Sequence, residues 1–393
     1  MVTDGTADGA GSPASPPKPQ PVLGGLTSAA IFLIVTVDPG GEAAARDLLG
    51  RLGGITRSVG FAFPEDRVSC VVGIGSRLWD RLFDGPRPAL LHEFRELNGA
   101  RHRAVSTPGD LLFHIRAMRA DLCFSVAQQI MARLRGAVTL VDEVQGFRYY
   151  DARDLLGFVD GTENPVDGEA AEVALIGAED PRFAGGSYVI VQKYLHDLAA
   201  WDALPVEAQE RVIGRTKLAD IEFDDEVKPD DSHVAMNTLE GPDGGERQIL
   251  RDNMPFGSAG RGEFGTYFIA YAADPGTTEE MLRNMFLGRG ASSHDRILDF
   301  STAVTGSLFY VPSADFLDAP PDAPPAGAVS AAASNEITSN EITSNEITSN
   351  EISADKMAGG KAEPGGVAAS ALDRHASRET SLGIGDLRSA PTS

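Results

Sequence analysis

Cysteine is nearly absent from this chain: two residues in 393, Cys70 and Cys123, each inside an apolar stretch (SCVVGIG and DLCFSV). Neither belongs to a CxxC pair and there is no CxxCH, which argues against a cysteine-held zinc site, a thioredoxin-type dithiol and a covalently attached c-type haem. Thiols buried in this way suit a reducing compartment. Long apolar runs are missing too, and none approaches the roughly 20 residues of a membrane span. The opening MVTDGTADGAGSPASPPKPQPV has neither the basic nor the apolar region of a secretory signal, so a cytoplasmic protein is expected. Positive charge is scarce: 34 Lys and Arg against 57 Asp and Glu give a net charge of −23. Such a surface repels nucleic acid and anionic membrane, so neither is expected as a partner; it attracts cations and favours solubility.

What is present is ordinary globular material, 42% hydrophobic and 23% charged, enough for one or two cores. Residues 1–26 are rich in Gly, Pro, Ser and Asp and predict a disordered leader. Strands are predicted at 30–37, 68–74, 111–117 and 138–145, with helices at 42–52 and 122–134 and amphipathic segments at 78–83 and 90–97. The order β-α-β, β-α-β is the split pattern of a ferredoxin-like α+β sandwich. The second half repeats it, with strands at 187–193, 264–272 and 308–311 and helices at 197–201, 207–215 and 278–286. The expected organisation is therefore an N-terminal ferredoxin-like domain over 27–150 and a C-terminal one over 151–317.

After Phe316 the composition changes to Pro and Ala, then to the repeat SNEIT at Ser334, Ser339 and Ser344 and SNEIS at Ser349. One isoleucine per five residues cannot bury enough surface to offset ordering entropy, so 318–380 is expected to be a disordered linker.

Three segments can carry chemistry. In Gly157-Phe-Val-Asp160-Gly161-Thr162-Glu163-Asn164-Pro165 two glycines bracket an aspartate. They would let backbone approach a flat ligand and aim one carboxylate into a cavity, although Asp-Gly and Asn-Pro are also plain turn chemistry. His233, in Asp230-Asp-Ser-His-Val234, sits in a polar loop just before an apolar run. A neutral imidazole there can ligate a metal, and a satisfied structural histidine is the alternative. In Arg251-Asp252-Asn253 the permanently charged Arg251 can stabilise a developing anion or simply form an ion pair.

Taken in order, these segments resemble the dye-decolorizing peroxidase family over about residues 28–317, and the absence of large insertions is similar to its compact bacterial B-type subgroup. GFVDG matches the GxxDG signature, and His233 and the R-D-N segment follow it. The resemblance implies two ferredoxin-like domains, with one non-covalent haem b in the C-terminal domain. It implies His233 as the iron ligand, with its other ring nitrogen donating to a carboxylate: Asp295, with Asp299 in reserve. His294 is the rival ligand. Asp160, Arg251 and Asn253 are the implied catalytic residues, and Gly161, Thr162, Glu163 and Arg251 would contact the haem. The implied substrates are hydrogen peroxide and organic or Mn²⁺ donors, with homo-oligomers common. Bulky donors would send electrons through a surface aromatic such as Trp201, Tyr188, Tyr194 or Tyr267. A protein that handles or dechelates haem, or a haem-binding module without turnover, is the competing reading.

The last segment, Ser381-Leu382-Gly383-Ile384-Gly385-Asp386-Leu387-Arg388, alternates apolar side chains with glycine, as suits a peptide laid into a groove. It resembles the targeting peptide of encapsulin cargo, which implies a shell-protein partner and a place inside that compartment. Asp386 and Arg388 depart from the commonest form. A coil of about 64 residues ahead of it reaches roughly 40–48 Å.

Overall fold

The computed structural model describes residues 17–161, 164–242 and 244–325. Its first half runs β1 (Ala29–Val37), α1 (Glu42–Gly60), β2 (Ser69–Gly75), α2 (Ser76–Leu82), a two-residue ribbon of β3 (Leu97–Asn98) and β4 (Arg103–Ala104), β5 (Leu111–Ala117), α3 (Ala120–Arg133) and β6 (Val138–Phe147). The second half runs α4 (Asp167–Ala174), β7 (Ser187–His196), α5 (Leu198–Asp202), α6 (Val206–Ile213), α7 (His233–Asn237), β8 (Leu250–Arg251), β9 (Met254–Ser258), β10 (Glu263–Ala272), α8 (Pro275–Leu287), β11 (Ser301–Ala303), β12 (Ser307–Val311) and α9 (Ala314–Asp318).

One antiparallel sheet runs β6-β1-β5-β2-β12-β7-β10-β8, with β9 also on β10 and β11 on β7. Each half has the ferredoxin-like order of fourth, first, third and second strand, and β2 and β12 join the halves through Ile74↔Tyr310 and Gly75↔Phe309. The join demands glycine nearby, since a Cβ on Gly73 would lie 2.8 Å from that of Phe309.

Strand alternation then divides the core. Ile31, Leu33 and Val35 face α1 and α3 with Leu48, Leu52 and Val126, whereas Phe32 and Ile34 face the other half with Val189, Tyr267 and Tyr271. Phe32 stacks on Tyr267 with centroids 4.0 Å apart. The strands of the two halves thus cover each other's inner face, and the helices lie outside. This is the expected two-domain α+β sandwich.

Four expectations need correction. The leader is not disordered from residue 17 onward: buried Gln20 bonds Val72 and Pro312, and Val22 is 2% exposed. The folded body also passes 317, because Arg46 donates to the Pro321 carbonyl and Asp84 N–H donates to the Asp322 carbonyl. Residues 90–97 are largely irregular, anchored by buried Leu91 and Phe94. Helix α1 continues past Leu52 through Gly53 and Gly54, each costing about 1 kcal/mol, because Ile55 beyond them packs into the core. The SNEIT repeats and residues 381–388 lie outside the described residues. Among the described residues, no helix is long and apolar enough to cross a membrane.

Candidate active site

A cleft of about 190 Å³ opens in the second half. Its walls are mainly apolar, with Leu156, Phe158, Ile213, Phe268, Met281 and Met285, and each of the three segments singled out in the sequence contributes to its polar groups.

His233 begins α7, where the side chain of buried Ser232 caps the helix by accepting from Ala235 N–H. Its Nδ1 lies 2.7 Å from Asp295 Oδ2. Asp295 is wholly buried and is itself fixed: its Oδ1 accepts from Ile297 N–H at 2.9 Å. Asn237, one turn after His233, donates to the His233 carbonyl at 2.7 Å and reaches Asp295 Oδ2 at 3.3 Å. Among the described residues nothing bonds Nε2, and the ring lines the cleft. His294 does not line it: its Nδ1 meets Ser293 Oγ and its Nε2 meets Asp299, so Asp299 is not the residue that holds His233. A third histidine, His196, does line the cleft, but Ser301 and Thr266 take both its ring nitrogens. Burial lowers its pKa to about 4, which leaves it a neutral structural ring.

The Arg-Asp-Asn segment follows strand alternation. Arg251 and Asn253 line the cleft, while Asp252 points away to an ion pair with buried Arg116. The β10 ladder is interrupted opposite Asn253, whose side-chain Oδ1 takes the Ile269 N–H at 3.1 Å. Its Nδ2 is then free to donate to Asp160 Oδ1 at 3.3 Å. The loop carrying Asp160 is tied to the same strand by Asn164, which donates to Arg251 C=O at 2.7 Å and accepts from Arg251 N–H at 2.9 Å. The Arg251 Nε is buried without a hydrogen-bond partner among the described residues. Gly161 lines the cleft with φ +81°, a backbone region that favours glycine. Thr162 and Glu163 lie outside the described residues.

The structure therefore brings together Asp160, Gly161, Arg251, Asn253 and His233, with Asp295 behind the last. Sequence reasoning missed Asp154, Asn237 and the clamping use of Asn164. Asp154 lines the cleft, accepts from Phe158 N–H at 2.9 Å, and is pushed up to about 7 by burial and then by Asp160. The proposed surface aromatics are not at the surface: Trp201 and Tyr267 are fully buried, and Tyr188 and Tyr194 are nearly so.

The family models described as "Dyp-type peroxidase, N-terminal" and "Dyp-type peroxidase, C-terminal" match residues 19–148 and 151–316. The chain belongs to the Dyp-type peroxidase family. As a member it is a peroxide-dependent oxidoreductase. It is 60% identical over 316 residues to a dye-decolorizing peroxidase of Mycolicibacterium paratuberculosis, covering 80% of this chain and 89% of that one. The encapsulated DyP-type peroxidase from Mycobacterium smegmatis superposes with a TM-score of 0.77 at 59% identity, over 78% of this chain and all of that one. A variant of Rhodococcus jostii RHA1 DypB in complex with heme gives a TM-score of 0.75 at 55% identity, over 78% and 99%. A DypB variant in complex with manganese gives the same TM-score of 0.75 at 55% identity.

Proposed function

We propose that the cleft holds one non-covalent haem, that His233 Nε2 ligates its iron, and that Asp160, Arg251 and Asn253 act on hydrogen peroxide. The observation that carries this is the pair His233–Asp295: one ring nitrogen is committed to a buried carboxylate, and the other has no partner among the described residues and lines a mainly apolar cleft. The donor set fits a haem in two further respects. The walls match a flat apolar ring, and the cleft also carries Arg251, whose Nε is unpartnered among the described residues, a cation suited to an acidic porphyrin side chain. Both cysteines are buried in the first half's core, so a non-covalent b-type haem is the form that fits.

When bound, haem iron supplies the two-electron reduction of peroxide and the one-electron oxidation of donors. Asp295 fixes the His233 tautomer with the proton on Nδ1 and makes Nε2 a stronger donor. Asp160 accepts a proton from peroxide at a carboxylate oxygen and returns it to the departing oxygen. Asn253 Nδ2 holds that carboxylate in place. The Arg251 guanidinium stabilises negative charge as the O–O bond breaks. Organic dyes, phenols and Mn²⁺ are the donors of this reading. Manganese is supported by the manganese complex of a DypB relative.

In His233→Ala the Soret band should be lost. In Arg251→Leu haem should stay while peroxide turnover falls by about 10²–10³. Iron ligation retained in His233→Ala would overturn the assignment. A dechelating protein would instead release free porphyrin, which the same spectra detect.

With their outer ends corrected, residues 17–150 and 151–322 are the two domains of this proposal, and the segment from there to 380 the tether of a docking peptide centred on Leu382, Gly383, Ile384, Gly385 and Leu387. The encapsulated M. smegmatis relative supports a shell partner for this chain. A chain ended at residue 325 should keep peroxidase activity and fail to co-purify with a co-expressed encapsulin shell; co-purification would refute the docking role. Assembly into a homo-oligomer belongs to the same reading, and light scattering decides it.

A further inference from the structure

Outside the cleft lining, His102, His294 and Asp299 bring one ligand atom each to within 4.8 Å of the others. His102 Nε2 lies 3.1 Å and His294 Nε2 3.2 Å from the same oxygen, Asp299 Oδ1. Two imidazoles converging on one carboxylate oxygen are the donor types of zinc and related first-row ions. The outer contacts agree. Ser293 Oγ, 2.8 Å from His294 Nδ1, can accept the Nδ1 proton and leave Nε2 as a lone-pair donor, the usual arrangement behind a metal-bound histidine. Zinc bonds of about 2.0–2.1 Å put tetrahedral ligand atoms about 3.3 Å apart, so both nitrogens already stand at the right distance from Asp299 Oδ1 and the rings must close on each other by up to about 1.5 Å, with water completing the shell. Arg101 also approaches Asp299 Oδ1 at 3.4 Å, but it is 63% exposed and can turn into solvent.

The residues come from both halves of the molecule. His102 is on the β3–β4 ribbon, whose turn is closed by Gly99 N–H donating to His102 C=O at 3.0 Å. The ribbon lies so close to the end of α8 that a Cβ on Gly99 would be 1.9 Å from the Phe286 carbonyl. His294 precedes, and Asp299 ends, the 3-10 turn at 296–299, which Asp295 caps. An ion here would fasten the first half to the turn that positions the His233 partner.

We propose that His102, His294 and Asp299 form a binding site for a divalent transition-metal cation with zinc's preference for imidazole, pinning the β3–β4 ribbon to the turn that carries Asp295. The test uses the untagged, haem-loaded full chain, stripped with chelator and titrated calorimetrically with Zn²⁺ or Mn²⁺ at pH 7.5. One equivalent of Zn²⁺ should bind at least tenfold more tightly than Mn²⁺ and raise the melting temperature. His102→Gln and Asp299→Asn should each weaken that equivalent at least tenfold, with an unchanged Soret band and unchanged melting in chelator. His102→Gln, on a ribbon flanked by exposed residues, keeps the test valid if Asp299→Asn folds poorly. Zinc binding equal in the parent and in His102→Gln, or no saturable equivalent in the parent, would overturn the proposal.

Discussion

A carboxyl in an apolar wall beside another carboxylate resists ionisation, and Asp154 is in that position. Burial, with the charge of Asp160 second, pushes it from 3.8 to about 7. Between those values the folded chain keeps a proton that the unfolded chain has released. The contribution of Asp154 to stability therefore falls as pH rises from about 4 to about 7 and levels off above. His196 has the opposite slope. Burial lowers it from 6.5 to about 4, so its contribution is complete above about 6.5 and is lost as pH falls toward 4. Asp154→Asn keeps an acceptor for Phe158 N–H and removes the charge. It should melt a few degrees above the parent at pH 8, with the gap closing by pH 4.5, and circular-dichroism melts at both pH values check this. A gap equal at both would mean the substitution acts through packing instead.

At the scale of elements, β8 is only two residues long, and the Asn164 side chain pairs with Arg251 as a neighbouring strand would. Asn164→Ala leaves one backbone donor and one acceptor unpaired at the edge of the cleft, a loss of about 1–3 kcal/mol for each group left buried. Melting temperature should drop, and peroxide kcat/KM should fall with it because Arg251 and Asp160 lose their common anchor. A lower melting temperature with unchanged kcat/KM would limit Asn164 to stability. This clamp also marks the border of what was readable in advance. The long strands were legible because β-branched runs such as AIFLIVTV need burial on both faces. The second strand of the C-terminal half was not, because Gly, Pro and polar residues break its pattern and Asn253 replaces a ladder bond with a side chain. Helix α7 is too short for a periodic signal, and only the Ser232 cap announces it. His233, Asp160 and Arg251 were found through ordered motifs. Asp154 and Asn237 act through neighbours distant in sequence, and nothing local to them reveals that. The four aromatics suggested as surface relays have the composition of core residues, and the fold uses them so.

On the scale of the whole molecule, a net charge of −23 biases which donors reach the cleft mouth. Exposed charges are screened beyond about 8 Å at physiological salt, so the bias should be strong at low ionic strength and fade as salt is added. With haem occupancy and pH fixed, kcat/KM for a cationic dye should fall several-fold between 10 and about 500 mM salt. That for an anionic dye should rise, and a neutral phenol should change little. Residues 326–393 contribute 9 acidic and 5 basic side chains, so a chain ended at 325 still carries −19. The truncated enzyme should therefore show the same signs with slightly shallower slopes. If instead the anionic dye slows with salt, the donor responds to the local cation of the cleft, Arg251, more than to the global field. Oxidation would then take place at the cleft mouth, since a distant site on this acidic surface would give the opposite sign.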